Sequence, residues 1–122
     1  MIPANIKAGI HRDLYFSNIC AIERKSGLVE LSGNLTKERS RIENEFIRKK
    51  GNFMLLIENN SIDDIFNHNY QTQFLPNSYL ATLLTFQHKY NFTTSCISKE
   101  NSGRYIYLYL YYGIRQWLKG EG

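Results

Sequence analysis

The sequence has no Cys-x-x-Cys pair. Its two cysteines, Cys20 and Cys96, lie far apart in the chain. That excludes a zinc knuckle and a dithiol redox motif. Both thiols fall in apolar, strand-like runs, so each reads as a buried free thiol in a reducing compartment. Histidine is equally sparse: His11, His68 and His88 have no ligand spacing, which argues against a histidine-built metal site. No apolar run reaches the length of a membrane span. The opening MIPANIKAG lacks the apolar core of a signal peptide. A cytoplasmic protein with no membrane partner is the expectation. There is also no internal repeat and no low-complexity linker.

What remains is a globular composition, with 43% apolar and 21% charged residues in 122, enough for one domain over residues 1–122 with its own core. Aromatic residues are plentiful, with nine Tyr, seven Phe and one Trp. Fifteen basic residues against eleven acidic give a net charge of +4, compatible with nucleic acid or another anionic surface.

Hydrophobic patterning predicts an alternation of strands and helices. Ile2 and Pro3 can close a strand, Gly9 to Asp13 reads as loop, and Leu14 to Phe16 can start another strand. Ile19 to Glu23 reads as a short strand. Ser26 is placed to cap a short helix through Leu31, which Gly33 and Asn34 break. The clearest helix is TKERSRIENEFIRKKG, with Thr36 as N-cap, Glu38 in the first turn, Arg48, Lys49 and Lys50 in the last, and Gly51 as the stop. Its apolar side is Ile42, Phe46 and Ile47. FMLLI, residues 53–57, is apolar throughout, as a strand covered on both faces is. Asn59-Asn60 turns the chain, and Ser61 caps a short helix. Pro76-Asn77 opens a helix to Tyr90 with a stripe of Leu80, Leu83, Leu84 and Gln87 or His88. FTTSCI, residues 92–97, reads as a further buried strand. In the tail, alternation from Tyr105 to Tyr111 favours a strand, whereas Ser102 as cap, length and the amphipathic IRQWLK favour a helix. The alternating order decides for a helix. The fold expected is α/β, with a partly parallel sheet covered by helices.

One stretch stands out chemically. IERKS places Glu23, Arg24 and Lys25 at the end of an apolar strand. On a strand, residues two apart share a face, so Glu23 and Lys25 project together and Arg24 away from them. A carboxylate can hold a hard divalent cation, and a neighbouring lysine can orient a water or stabilise charge on a phosphate. Glu-x-Lys by itself is common on solvated strand ends.

The motif in its setting is more specific. IERKS is followed by a short helix, a basic helix and LLIE closing a buried strand. This run resembles the nuclease domain of the XPF-type structure-specific endonucleases, in the restriction-endonuclease-like group. The similarity is greatest to small phage and prophage members. There the segment after the motif reads like ELSGNLTKERSRIENEF, and later helices resemble LTFQHKYN and SGRYIY. It extends from residue 1 to residue 118.

The resemblance implies a mixed sheet flanked by helices. It also implies Mg2+- or Mn2+-dependent hydrolysis of phosphodiester bonds in branched or single-strand-containing DNA, a homodimer, and a bacterial or phage-encoded cytoplasmic protein. Carried over, the catalytic set is Glu23, Arg24 and Lys25. Glu23 is the metal ligand, Lys25 the catalytic lysine, and Arg24 structural or phosphate-directed. On the basic helix Arg39, Arg41, Arg48, Lys49 and Lys50 can contact phosphates, and Arg39 and Arg41, nearer the motif, are the first choice for DNA contact. Solvated pairing such as Glu45 with Lys49 is the competing reading of that helix.

Two departures stand against the resemblance. The family's Asp after the motif falls at Val29, with Glu30 adjacent. The family's upstream Gly-Asp pair has no counterpart after Met1, so the expectation is an N-terminally truncated nuclease fold lacking its first strand and helix. Asp13 is the one acid upstream of Glu23, and its ordinary reading is a loop residue. Glu58, at the end of LLIE, can approach Glu23 if the two strands are adjacent and parallel; a strand-end charge or helix cap is its ordinary role. An incomplete metal site predicts weak or absent cleavage. The rival expectation is a non-catalytic DNA-binding or dimerisation module on the same fold.

Overall fold

Five consecutive apolar residues, Phe53 to Ile57, are all buried, and they form the middle strand of the sheet. The computed structural model describes residues 20–49 and 52–121. In chain order these form β1 (Cys20–Lys25), α1 (Leu28–Leu35), α2 (Arg39–Arg48), β2 (Asn52–Glu58), α3 (Ile62–Phe66), α4 (Pro76–Tyr90), β3 (Phe92–Ile97) and α5 (Lys99–Glu121). The sheet order is β1-β2-β3 and both pairings are parallel, with Glu23 opposite Leu55, Lys25 opposite Ile57 and Phe53 opposite Phe92. Parallel neighbours need crossover connections, which α1–α2 and α3–α4 supply. A small α/β fold with its sheet flanked by helices is therefore present. Among the described residues every strand pair is parallel. Asp13, the strands expected near Ile2 and Leu14, the start of β1 at Ile19, and Lys50 and Gly51 lie outside the described residues.

Strand alternation divides the core. Phe53, Leu55 and Ile57 join Leu28, Leu31, Ile42, Phe46, Leu83, Phe86 and Phe92 in one cluster beneath α1, α2 and α4. Phe46 is its centre, with ring centroids 5.4 Å from Phe53, 6.2 Å from Phe86 and 5.0 Å from Phe92. Met54, Leu56 and Glu58 alternate to the opposite side. There α5 approaches β1 so closely that a Cβ on Gly113 would lie 3.1 Å from the Cys20 sulfur.

Several helix boundaries differ from the sequence expectation, for physical reasons. α1 runs through Gly33 and Asn34 to Leu35. Asn34 is buried, and its side-chain amide donates to Glu38 at 2.7 Å instead of breaking the helix. Thr36 ends α1 rather than starting α2. Its hydroxyl donates back to the Ser32 carbonyl at 2.8 Å, and α2 begins at Arg39. α4 buries Tyr79, Leu83 and Phe86, while Leu84 and His88 are exposed. The Tyr79 hydroxyl donates to the Leu28 carbonyl at 2.7 Å, which satisfies its polar end and lets the ring enter the core. α5 starts at Lys99, three residues before Ser102, which is buried inside the helix.

The Asn59-Asn60 turn also ties two helices to the ends of the strands. Asn60 Oδ1 accepts the Leu28 N–H at 2.9 Å, and Asn59 Oδ1 accepts the Lys99 N–H at 3.1 Å. Each satisfies a donor at a helix start. Gly27 suits this closeness: a Cβ there would lie 2.9 Å from Asn60 Oδ1 and push the amide away from the Leu28 N–H.

Candidate nucleic-acid interface at the end of β1

β1 delivers its three charges at the carboxyl end of a parallel sheet, where crevices in α/β folds form. Alternation separates them as the pattern requires. Lys25 Nζ lies 3.2 Å from Glu23 Oε2 on the face that carries the aromatic cluster. The Lys25 side chain is almost fully buried. Its stem packs in the core while its ammonium reaches the partly exposed Glu23. The other Glu23 oxygen, Oε1, lies 3.4 Å from Lys49 Nζ at the end of α2. One carboxylate is thus held between two ammonium groups.

Lys49 is one of the basic residues of α2 that the sequence offers for phosphate contact, and it lies beside Glu23. The Glu45–Lys49 pair of the competing reading does not form: Glu45 accepts from Arg41 Nη1 at 2.9 Å, and Lys49 turns to Glu23. The signal was present in the spacing. Ile42 and Phe46 are core residues, and Lys49 follows Phe46 by three on the same helix face.

The two arginines expected to contact DNA diverge. Arg41 bridges Glu38 at 2.6 Å and Glu45 at 2.9 Å along α2. Glu38, accepting from Arg41 and then from Asn34, has its carboxyl held below the ordinary range, with a smaller contribution from the Lys25 charge. The charges of this row are within electrostatic reach of the Glu23–Lys25 pair. Arg39 points elsewhere: its Nε lies 3.4 Å from Glu43 and its guanidinium 5.0 Å from the Phe86 ring centre. Glu43 in turn accepts from the Tyr90 hydroxyl, the largest cause of its lowered pKa.

The candidate replacement acids separate likewise. Glu30 is committed to its own helix start, where one oxygen accepts the Ser26 N–H at 2.7 Å and the Ser26 hydroxyl at 3.0 Å. Val29, at the position of the family's Asp, is exposed. Glu58 belongs to the strand next to β1, as its approach to Glu23 required, but alternation puts its side chain on the opposite face. There its Oε2 lies 3.7 Å from Arg24 Nε. Among the described residues no three His, Cys, Asp or Glu side chains converge as a metal site. Glu23 is the one carboxylate beside Lys25 in the ion pairs of this face, and both its oxygens already face cations. The described residues therefore do not complete a site for Mg2+ or Mn2+. Two ammonium groups share one carboxylate, and Lys49, the more exposed of the two, is the one that can meet an oxyanion.

The reverse side of the sheet carries a different surface. Cys20 and the α5 residues Tyr105, Leu108, Tyr109, Tyr112 and Trp117 line an open apolar groove. Tyr107 and Tyr111 are exposed on the same helix, with ring centroids 6.1 Å apart. Among the described residues no helix is long and apolar enough to cross a membrane. Compared with protein-family models, curated proteins and solved structures, the chain matches none.

Proposed function

We propose that this chain is a DNA nuclease-family domain that engages the phosphodiester backbone at the carboxyl end of β1, with weak or absent cleavage of its own. The observation that carries the reading is the placement of Glu23 and Lys25 side by side on one face, 3.2 Å apart, with Arg24 exposed on the other. That is the arrangement an ERK-type nuclease motif needs. Lys49 is the cation that would face a phosphate on the first side, with Lys25 holding Glu23 in place, and Arg24 is the one on the second. The row Glu38–Arg41–Glu45 is internally neutralised, so Arg41 adds little attraction for DNA. Divalent-metal hydrolysis needs a second carboxylate on the Glu23 face, and Asp13 is the upstream acid in the sequence.

The test is incubation of branched, single-stranded and plasmid DNA with Mg2+ or Mn2+, beside Lys25→Ala and Asp13→Asn variants. The expected result is salt-sensitive binding with little cleavage. Robust cleavage that both variants abolish would overturn the claim of weak activity and establish a complete site. No binding to any DNA at low salt would overturn the nuclease-family reading.

A second reading, a dimerisation module, has its own observation: the exposed tyrosines and open apolar groove of α5 are a surface suited to a second copy of the chain. Sedimentation of the wild type against Tyr112→Glu distinguishes it, since a dimer formed through this face dissociates in the variant.

A further inference from the structure

Glu58 is a carboxylate where burial is costly. Its side chain is 5% exposed, and its Oε2 makes no hydrogen bond. A buried charge of this kind is tolerated when a counter-charge compensates it. The ion pairs of the described residues give it one such partner, Arg24, whose side chain is 61% exposed and whose Nε lies 3.7 Å from Oε2. The separation is that of an ion pair rather than a hydrogen bond.

The two residues are unlike in a way that matters. Glu58 ends the middle strand, one residue past the last pairing with β1, and its backbone is held on the other side opposite Ile97 of β3. Arg24 is at the end of β1 and reaches into solvent. A free arginine on a strand end loses rotamer entropy on docking to anything. Here the buried carboxylate attracts the guanidinium by its Nε corner. With the Arg24 side chain 61% exposed, the two Nη groups remain open to a ligand, and they form the fork that matches two phosphate oxygens. This surface is separate from the Glu23–Lys25–Lys49 cluster, because Arg24 and Lys25 project to opposite faces of β1.

We propose that Glu58 is a positioning residue. It holds Arg24 in the conformation that presents its Nη edge to a phosphodiester oxyanion. This rests on the DNA-binding reading above and adds a residue to it whose sign of effect is unusual. Removing a negative charge near DNA should tighten binding by simple electrostatics. Positioning requires the reverse.

The experiment measures affinity of the full chain for branched DNA by fluorescence anisotropy, for wild type, Glu58→Gln, Arg24→Ala and the double variant. A second readout needs no DNA: 15N relaxation of the Arg24 Nε–H group in wild type and Glu58→Gln. Positioning expects Glu58→Gln to weaken binding by roughly threefold to tenfold, the cost of ordering one long side chain afresh. It also expects no further loss when Glu58→Gln is added to Arg24→Ala, and a rigid Nε–H signal in wild type that becomes mobile in Glu58→Gln. Tighter binding by Glu58→Gln, or an equal loss in the Arg24→Ala background, overturns it. If no DNA is bound by the wild type, the DNA-binding reading fails and the relaxation data decide the tether alone. If Glu58→Gln does not fold, an Arg24 Nε–H already mobile in wild type overturns the proposal, and a rigid one that Arg24→Lys cannot replace in DNA binding sustains it.

Discussion

The two faces of the sheet are built by different rules. On one, α1, α2 and α4 close over Phe53, Leu55 and Ile57, and Phe46 meets four aromatic rings, the fourth being Tyr90 at 5.7 Å. On the other, α5 lies against Cys20, keeps a groove open beside it and leaves Tyr107, Tyr111 and Tyr112 exposed. The first face is a packed core, where every lost methylene matters. On the second, Met54 and Leu56 are buried as well, and it is the outward side of α5 that is a surface, where side chains can change with little cost to the fold. The charges of β1 are divided along the same line, with Lys25 drawn into the packed side and Arg24 left on the open one.

The largest break in this contrast should come from Phe46→Ala. It removes the ring at the centre of the aromatic cluster and is expected to destabilise by about 3–5 kcal/mol in denaturant unfolding. Next is Glu23→Gln, which leaves the buried Lys25 ammonium and the Lys49 ammonium without their shared carboxylate. Because Glu23 is partly exposed, a loss of about 1–3 kcal/mol is expected, below that of a fully enclosed pair. Asn60→Ala uncaps the Leu28 N–H and should cost about 1 kcal/mol by the same measurement. Tyr112→Ala on the open face is expected to stay within about 0.5 kcal/mol. A loss there comparable to Phe46→Ala would erase the distinction between core and surface.

The smallest effect expected is one of pH. Asp64 accepts the Ser61 N–H at 2.8 Å, and Asn69 and Asn60 also donate to it, so its carboxyl is held below the ordinary value. The folded state therefore favours the ionised form. Its contribution to stability is complete above the unfolded aspartate value, roughly 3.9, and is lost as pH falls through the lower folded value. In thermal melts, Asp64→Asn should melt below wild type at pH 7, with the gap narrowing below about pH 4.

Sequence patterning is most informative where burial is total. FMLLI could be read as a strand covered on both faces because none of its five residues tolerates water, and all five are buried. It is less informative where a polar atom is satisfied from a distance. The α4 stripe read from spacing omits Tyr79, whose hydroxyl finds its partner, the Leu28 carbonyl, on another helix. Asn34 has the composition of a breaker, but its amide is satisfied by Glu38, beyond the end of its own helix. The site follows the same division. That Glu23 and Lys25 share a face was legible from strand alternation. That Lys49 closes on Glu23, and that Glu58 falls to the Arg24 side, depend on where α2 ends and which strands are neighbours. Periodicity within one element does not contain either fact.

The central claim is that the end of β1 contacts DNA phosphates. The most direct measurement is the dependence of DNA affinity on salt concentration for the wild type and Arg24→Ala. The account expects the logarithm of the affinity to fall linearly with the logarithm of salt, and Arg24→Ala to make that slope shallower by about 0.9 for duplex DNA, the loss of one phosphate contact. An unchanged slope in Arg24→Ala, or affinity indifferent to salt, would contradict it.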